Sequence, residues 1–137
     1  MALRDSIRHK HFPVSGSAGL PEQMAKLEAF RELAPGWDSY SAPPPNETAL
    51  RSAWSILRLV HEQEDVLPVH AAPSAEGGVL LVFSGAGSKY ADIECYNDGE
   101  ILAILSEPAC DPTIWPLTPE KAPLQAALER ISAFLDD

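Results

Sequence analysis

Asp92 and Glu94 stand two residues apart in a stretch that alternates apolar and polar side chains. In an extended chain such residues share one face, with Cα atoms about 6 to 7 Å apart, a spacing that permits a carboxylate pair to act as acid and base in glycoside hydrolysis. That chemistry also needs a cleft and sugar-stacking aromatics, and no segment of the chain reads as walling such a cleft around the pair. The same carboxylates suit a second role better. With Tyr96 and Glu100 beside them and Asp98 at a turn, they form an acidic, partly aromatic face of the kind that meets a basic protein.

Other chemistry-bearing residues offer less. His61 and His70 have no partnered nucleophile in the sequence, and His9 and His11, a pair able to bind a metal, lack a carboxylate or thiol at ligand spacing. Gly85-Ala86-Gly87-Ser88 lacks the Lys-Ser/Thr ending of a phosphate loop and reads as a connection between strands. Cys95 falls on an apolar strand face and is expected to be inert, whereas Cys110 is expected to be exposed, beside Glu107 and Asp111, carboxylates that oppose a thiolate nucleophile. Trp37, Asp38 and Tyr40 lie in a loop. They make either an aromatic and carboxylate binding site or, as the preferred reading, a structural turn. In the latter, Trp37 and Tyr40 plug the gap between the first two helices and the sheet, and Asp38 accepts backbone N–H bonds. No catalytic residue, cofactor or metal site is assigned.

The charge of the chain is uneven along its length. Ten Lys and Arg against twenty Asp and Glu give a net charge of -10 over 137 residues. Residues 1–58 carry seven basic and six acidic side chains, whereas residues 59–120 carry Lys89 alone against eleven carboxylates. The imbalance is therefore a local electrostatic feature, with ordinary solubilising carboxylates as the bland alternative. Phosphate binding needs a basic surface, so direct contact with nucleic acid or with anionic membranes is not expected. Two cysteines make neither a disulfide framework nor a four-ligand zinc site, and no signal peptide or membrane span is legible. A cytoplasmic location is the default.

These residues need elements to position them. Residues 1–19 read as a flexible arm and residues 20–137 as one domain. Helical spacing runs from Leu20 through Met24, Leu27, Phe30 and Leu33, with Pro21 suited to a first turn and Pro35-Gly36 as the stop. Asn46, an N-cap after three prolines, opens a second helix with a stripe of Leu50, Ala53, Trp54, Leu57 and Val60. Short strands are expected near residues 66–71, at 79–83, at 89–96 and at 100–106. Thr118 and Pro119 then begin a terminal helix whose Leu124, Leu128, Ile131 and Leu135 share a face, and Trp115 anchors the connection before it. The whole reads as an α+β fold: two N-terminal helices, an antiparallel meander of three to four strands, and a C-terminal helix packed on the sheet.

Asp98-Gly99 is a two-residue hairpin signal that sets Cys95 opposite Leu102 and Ile93 opposite Ile104, an apolar core face. The opposite face then pairs Tyr96 with Ile101, Glu94 with Ala103 and Asp92 with Leu105, with Tyr90 on the same side.

The segment Gly36-Trp37-Asp38-Ser39-Tyr40-Ser41-Ala42-Pro43-Pro44, the Glu76-Gly77-Gly78-Val79 turn and the hairpin from Ile93 to Ile101 resemble a group of small bacterial and phage proteins. Members share a Gly-Trp-Asp-x-Tyr-x-Ala-x-Pro segment followed by a Gly-Gly turn into a strand, often with Gly at the positions of Ser39 or Ser41. The resemblance covers about residues 20–106. It implies a fold and a mobile-element or accessory context, and no reaction.

The resulting expectation is a non-enzymatic interaction module, such as an antitoxin, immunity protein or inhibitor of a nucleic-acid-handling enzyme, that binds a basic protein through Asp92, Glu94, Tyr96, Asp98 and Glu100. The alternatives are a structural subunit or homodimer joined through sheet edges, and a small carboxylate-pair hydrolase.

Overall fold

Three prolines keep the chain extended up to Asn46, where the backbone turns and a helix begins. In the computed structural model, which describes residues 16–63, 67–85 and 87–136, this helix is the second, α2 (Glu47–Glu62). The Asn46 side chain accepts the Ala49 N–H at 3.0 Å, the N-cap read from the sequence. The buried arc comprises Ala49, Leu50, Ala53, Ile56, Leu57, Leu59 and Val60. Trp54 was expected in it and is instead 43% exposed, because the arc centres on Ala53, Ile56 and Val60 and leaves residue 54 at its margin. Its indole lies beneath the Arg58 guanidinium, 4.8 Å from the ring centre.

The first helix, α1 (Gly16–Phe30), starts inside the segment read as an arm, so Pro21 lies within the helix and not in its first turn. The rest of that arm, including His9 and His11, falls outside the described residues. The helix also stops short of Leu33, in turns where Arg31, Glu32 and Leu33 donate to carbonyls three residues back.

Five antiparallel strands follow in meander order, β1 (Val69–Ser74), β2 (Gly78–Ser84), β3 (Tyr90–Tyr96), β4 (Ile101–Ser106) and β5 (Thr113–Leu117). The sequence reading missed β5 and placed β1 too early. The sequence reads residues 113–117 as a connection, and Pro116 is accommodated in the strand they form because β5 lies at the sheet edge. Trp115 anchors through this strand, half-buried opposite Ala103, with the Arg130 guanidinium 4.1 Å from its ring centre.

The β3–β4 register differs from expectation by one residue. The Tyr96 N–H bonds to the Glu100 carbonyl at 2.8 Å and the Gly99 N–H to the Tyr96 carbonyl at 3.0 Å. The loop therefore spans Asn97, Asp98 and Gly99, with Gly99 at φ +97°, a three-residue turn with a glycine bulge in place of a two-residue one. Cys95 faces Ile101, Ile93 faces Ala103 and Asp92 faces Ile104. A one-residue slip exchanges the faces of the partner strand, so Ile101, Ala103 and Leu105 enter the core while Leu102 and Ile104 turn to the other side.

Alternate residues of the three central strands, Val79, Leu81, Phe83, Ala91, Ile93, Cys95, Ile101, Ala103 and Leu105, are buried with the apolar residues of the helices. The last helix, α3 (Lys121–Asp136), begins later than Thr118, and it contributes Leu124, Leu128, Ile131 and Leu135 as expected, together with Ala127. The helices thus pack on one face of the sheet, and α1 flanks the β1 edge, where the buried Gln23 side chain accepts the Ala71 N–H at 2.9 Å.

Candidate interaction surface

Alternation along the strands places Tyr90, Asp92, Glu94 and Tyr96 on the face opposite the core helices. Asp92 is flanked by Val82 on β2 and Ile104 on β4, and Glu94 by Leu80 and Leu102. His70 and Ile114 extend the first row to the sheet edges, and Ala72 and Pro116 extend the second. Two carboxylates are therefore set among aliphatic side chains, with a tyrosine at either end of the strand. Such a face offers charge for orientation and apolar area for affinity.

The hydrogen bonding around Glu94 is specific. One carboxylate oxygen accepts the Tyr96 hydroxyl at 3.0 Å and the other accepts the Ser74 hydroxyl. Ser74, buried, in turn accepts the Glu76 N–H at 3.1 Å. Ser74 reaches Glu94 because Gly78, paired between Ser74 and Tyr96, puts no side chain in the way. The Tyr96 hydroxyl is pushed up to about 12, first by desolvation, then by its bond to Glu94 and by the charges of Glu94, Glu76 and Glu100. It therefore stays a proton donor at neutral pH and holds Glu94 in one orientation.

Asp98 and Glu100 sit exposed on the β3–β4 turn, where the Asp98 carboxylate accepts the Glu100 N–H at 2.9 Å. The turn is pinned to the helical side by Asn97. Its carbonyl groups accept the Asn46 N–H at 2.9 Å and the Asn46 side-chain amide at 3.0 Å, and its own amide donates to the Pro44 carbonyl at 3.1 Å. The structure brings Asp92, Glu94 and Tyr96 together on one face and sets Asp98 and Glu100 on the turn at its end. Sequence reasoning missed Ser74 and Glu76, which only strand pairing brings to Glu94. It also missed the correct aliphatic neighbours, which follow from the register.

The Trp37–Tyr40 loop is a turn structure. Asp38 accepts the Tyr40 N–H at 3.0 Å and the Ala42 N–H at 3.3 Å, as expected of an Asx turn. Trp37 is half-buried and donates from its indole to the Pro43 carbonyl at 3.2 Å. Tyr40, however, is 86% exposed and plugs nothing, because the chain reverses between Gly36 and Ala42 and turns its ring outward. Ser39 adopts φ +71°, a left-handed conformation that glycine takes without strain.

Cys95 is buried, and desolvation, reinforced by the Glu94 charge, pushes its thiol up to about 12, so it stays a packed thiol. Cys110 is exposed. Among the described residues no group of three or more His, Cys, Asp and Glu side chains could hold a metal ion, and no helix is long and apolar enough to cross a membrane. A groove of about 170 Å³ lies between α1 and α2, away from the carboxylates, lined by Leu27, Arg31, Leu50, Arg51 and Trp54 with Glu28 and Glu47. Arg31 in it is paired with both Glu28 and Glu47.

Comparison of the chain with protein-family models, with curated proteins and with solved structures returns no match.

Proposed function

We propose that this is a non-enzymatic, acidic protein-interaction module of the cytoplasm. Its sheet face carrying Asp92, Glu94 and Tyr96, continued by Asp98 and Glu100, engages a basic surface on a protein partner. One observation carries the reading: the packed helices lie on one side of the sheet, and the other side presents carboxylates set between Leu80, Val82, Leu102 and Ile104. Each acid has aliphatics on both neighbouring strands, which gives the face apolar area as well as charge to offer a partner. Partners of the matching chemistry include nucleic-acid-handling enzymes, whose phosphate-binding surfaces are basic, which makes an antitoxin, immunity protein or inhibitor the functional class. The resemblance of residues 20–106 to small bacterial and phage proteins agrees with an accessory or mobile-element setting.

The test is affinity capture from the native host with the wild-type chain and with Asp92→Lys/Glu94→Lys. A basic protein retained by the wild type, released by salt and absent from the double variant is expected. Identical retention by the two, insensitive to salt, sinks the reading.

A structural subunit or homodimer remains the second reading, favoured by Ile114, which is 54% exposed on the edge strand β5. Pro116 beside it works against edge-to-edge pairing. Light scattering that shows a monomer at high protein concentration would exclude this arrangement. Hydrolysis by the Asp92 and Glu94 pair is the third, and retained hydrolytic turnover in Asp92→Asn and Glu94→Gln would rule it out.

A further inference from the structure

We propose that Lys26 is an acyl-acceptor site, with the His70 imidazole as the base that takes the proton from the attacking amine. Lys26 projects from α1 to β1, where its Nζ lies 2.7 Å from His70 Nδ1. The pair is held in place by its neighbours, since Gln23, one turn earlier on α1, bonds to the backbone of Ala71, the residue after His70. The two helix residues grip the strand edge together, so the amine meets the imidazole in a fixed geometry.

The surroundings favour the nucleophilic form of this amine. No carboxylate lies within ion-pair distance of Lys26 among the described residues, and burial lowers its pKa from the ordinary lysine value, with the charge of Glu22 opposing in part. A lysine that loses its proton readily is the kind that forms covalent bonds to carbonyl carbon. Two other described lysines are differently placed. Lys89 donates to the Phe134 carbonyl at 3.4 Å and sits over that ring, and Lys121 is exposed at the start of α3.

The co-reactant class is an acyl phosphate. The Nζ lone pair attacks the carbonyl carbon, the bond from that carbon to the phosphate oxygen breaks, and phosphate leaves with the electron pair. The surplus Nζ proton passes to Nδ1 of a neutral imidazole that carries its own proton on Nε2, and from there to solvent. The product is an amide at Nζ and free phosphate. It removes one positive charge and adds bulk at the seam between α1 and the sheet edge, so modification would loosen α1 from β1. His70 ends the cross-strand row that holds Val82 and Asp92, so the site borders the acidic face at the β1 edge, but it rests on Lys26 and His70 and holds whether or not that face binds a partner.

The test is acetylation of the full chain by acetyl phosphate at neutral pH, followed lysine by lysine by peptide mass spectrometry. Lys26 is expected to react several-fold faster than the exposed Lys121. In His70→Gln, whose side chain keeps a hydrogen-bond acceptor but cannot take a proton, the Lys26 rate should fall to that of Lys121 or below. Because that variant could disturb folding, the rate at Lys26 is also followed against pH in the native chain, where its break should lie below the ordinary lysine range. A Lys26 rate no greater than that of Lys121 in the native chain overturns the proposal. So does a break in the ordinary range, or a folded His70→Gln variant with an unchanged rate.

Discussion

The two faces of the sheet are built from the same strands and differ in every alternate residue. On the helix-covered side Phe83, Ile93, Cys95 and Ala103 are wholly inaccessible, and the side chains are aliphatic or aromatic almost throughout. On the other side the half-buried positions alternate Leu80 or Val82 with Asp92 or Glu94. The covered face is under one demand, to exclude water at crystalline density, and tolerates little change of volume. The second face keeps Glu94 hydrogen-bonded to Ser74 and Tyr96 and its aliphatics dispersed, so that half-buried carboxylate holds its charge with partners. Stability should therefore concentrate on the first face and recognition on the second.

The largest test of that division is Gly78→Ala, on the strand between the faces. At φ +150° an added Cβ would run into the Cys95 carbonyl and come within 2.9 Å of the Tyr96 Cα. Because backbone must move to admit it, a loss of ~3 kcal/mol or more is expected in urea denaturation, with the Glu94 network lost as well. Next in size is a matched pair on neighbouring strands. Ile93→Ala, wholly buried, should cost about 3 kcal/mol, whereas Ile104→Ala on the second face should cost about 1 kcal/mol or less. Equal costs would show that both faces belong to one core.

Asn46→Ala removes the α2 N-cap together with its link to Asn97, and should lower stability by about 1 kcal/mol. Alkaline pH offers a further contrast, since it reaches one group on each side of the sheet. Cys95 and Tyr96 are both raised to about 12 from ordinary values of 9.0 and 10.0. Between those ordinary values and about 12 the folded chain holds protons that the unfolded chain has released, so stability is complete below pH 9 and falls as pH rises through that window. Tyr96→Phe should flatten the part above pH 10, read as the midpoint of urea unfolding against pH. In the native state Cys110 should react with a thiol reagent in one fast phase while Cys95 waits for unfolding. The smallest effect is expected away from the sheet, where Ser39→Gly relieves a left-handed residue and should stabilise by ~0.5 kcal/mol.

Local signals in the chain predicted local features well. Asn46 capped its helix, Leu124 to Leu135 marked a buried stripe, Asp38 made its turn, and Cys95 with Ile93 lay on the core side of β3. The misreadings share one cause, a dependence on how far the chain continues a local pattern. One additional residue in the Asn97–Gly99 loop moved Ile101, Ala103 and Leu105 to the core. Trp54 matched helical spacing yet stands at the margin of the buried arc, and the connection anchored by Trp115 is an edge strand. The hydroxyls and turn residues around Glu94 were illegible because Ser74, Glu76 and Gly78 lie far from it along the chain.

Alternation of side chains in β3 is a property of the extended backbone, so the common face of Tyr90, Asp92, Glu94 and Tyr96 follows from sequence alone. The surplus of carboxylates in residues 59–120 is equally a matter of composition. Which residues flank those acids, which hydroxyls orient them, and which lysine meets a histidine depend on strand register and on where α1 docks. Those are decided by the geometry of one turn and the packing of a distant helix, contacts that form only when the whole chain is folded.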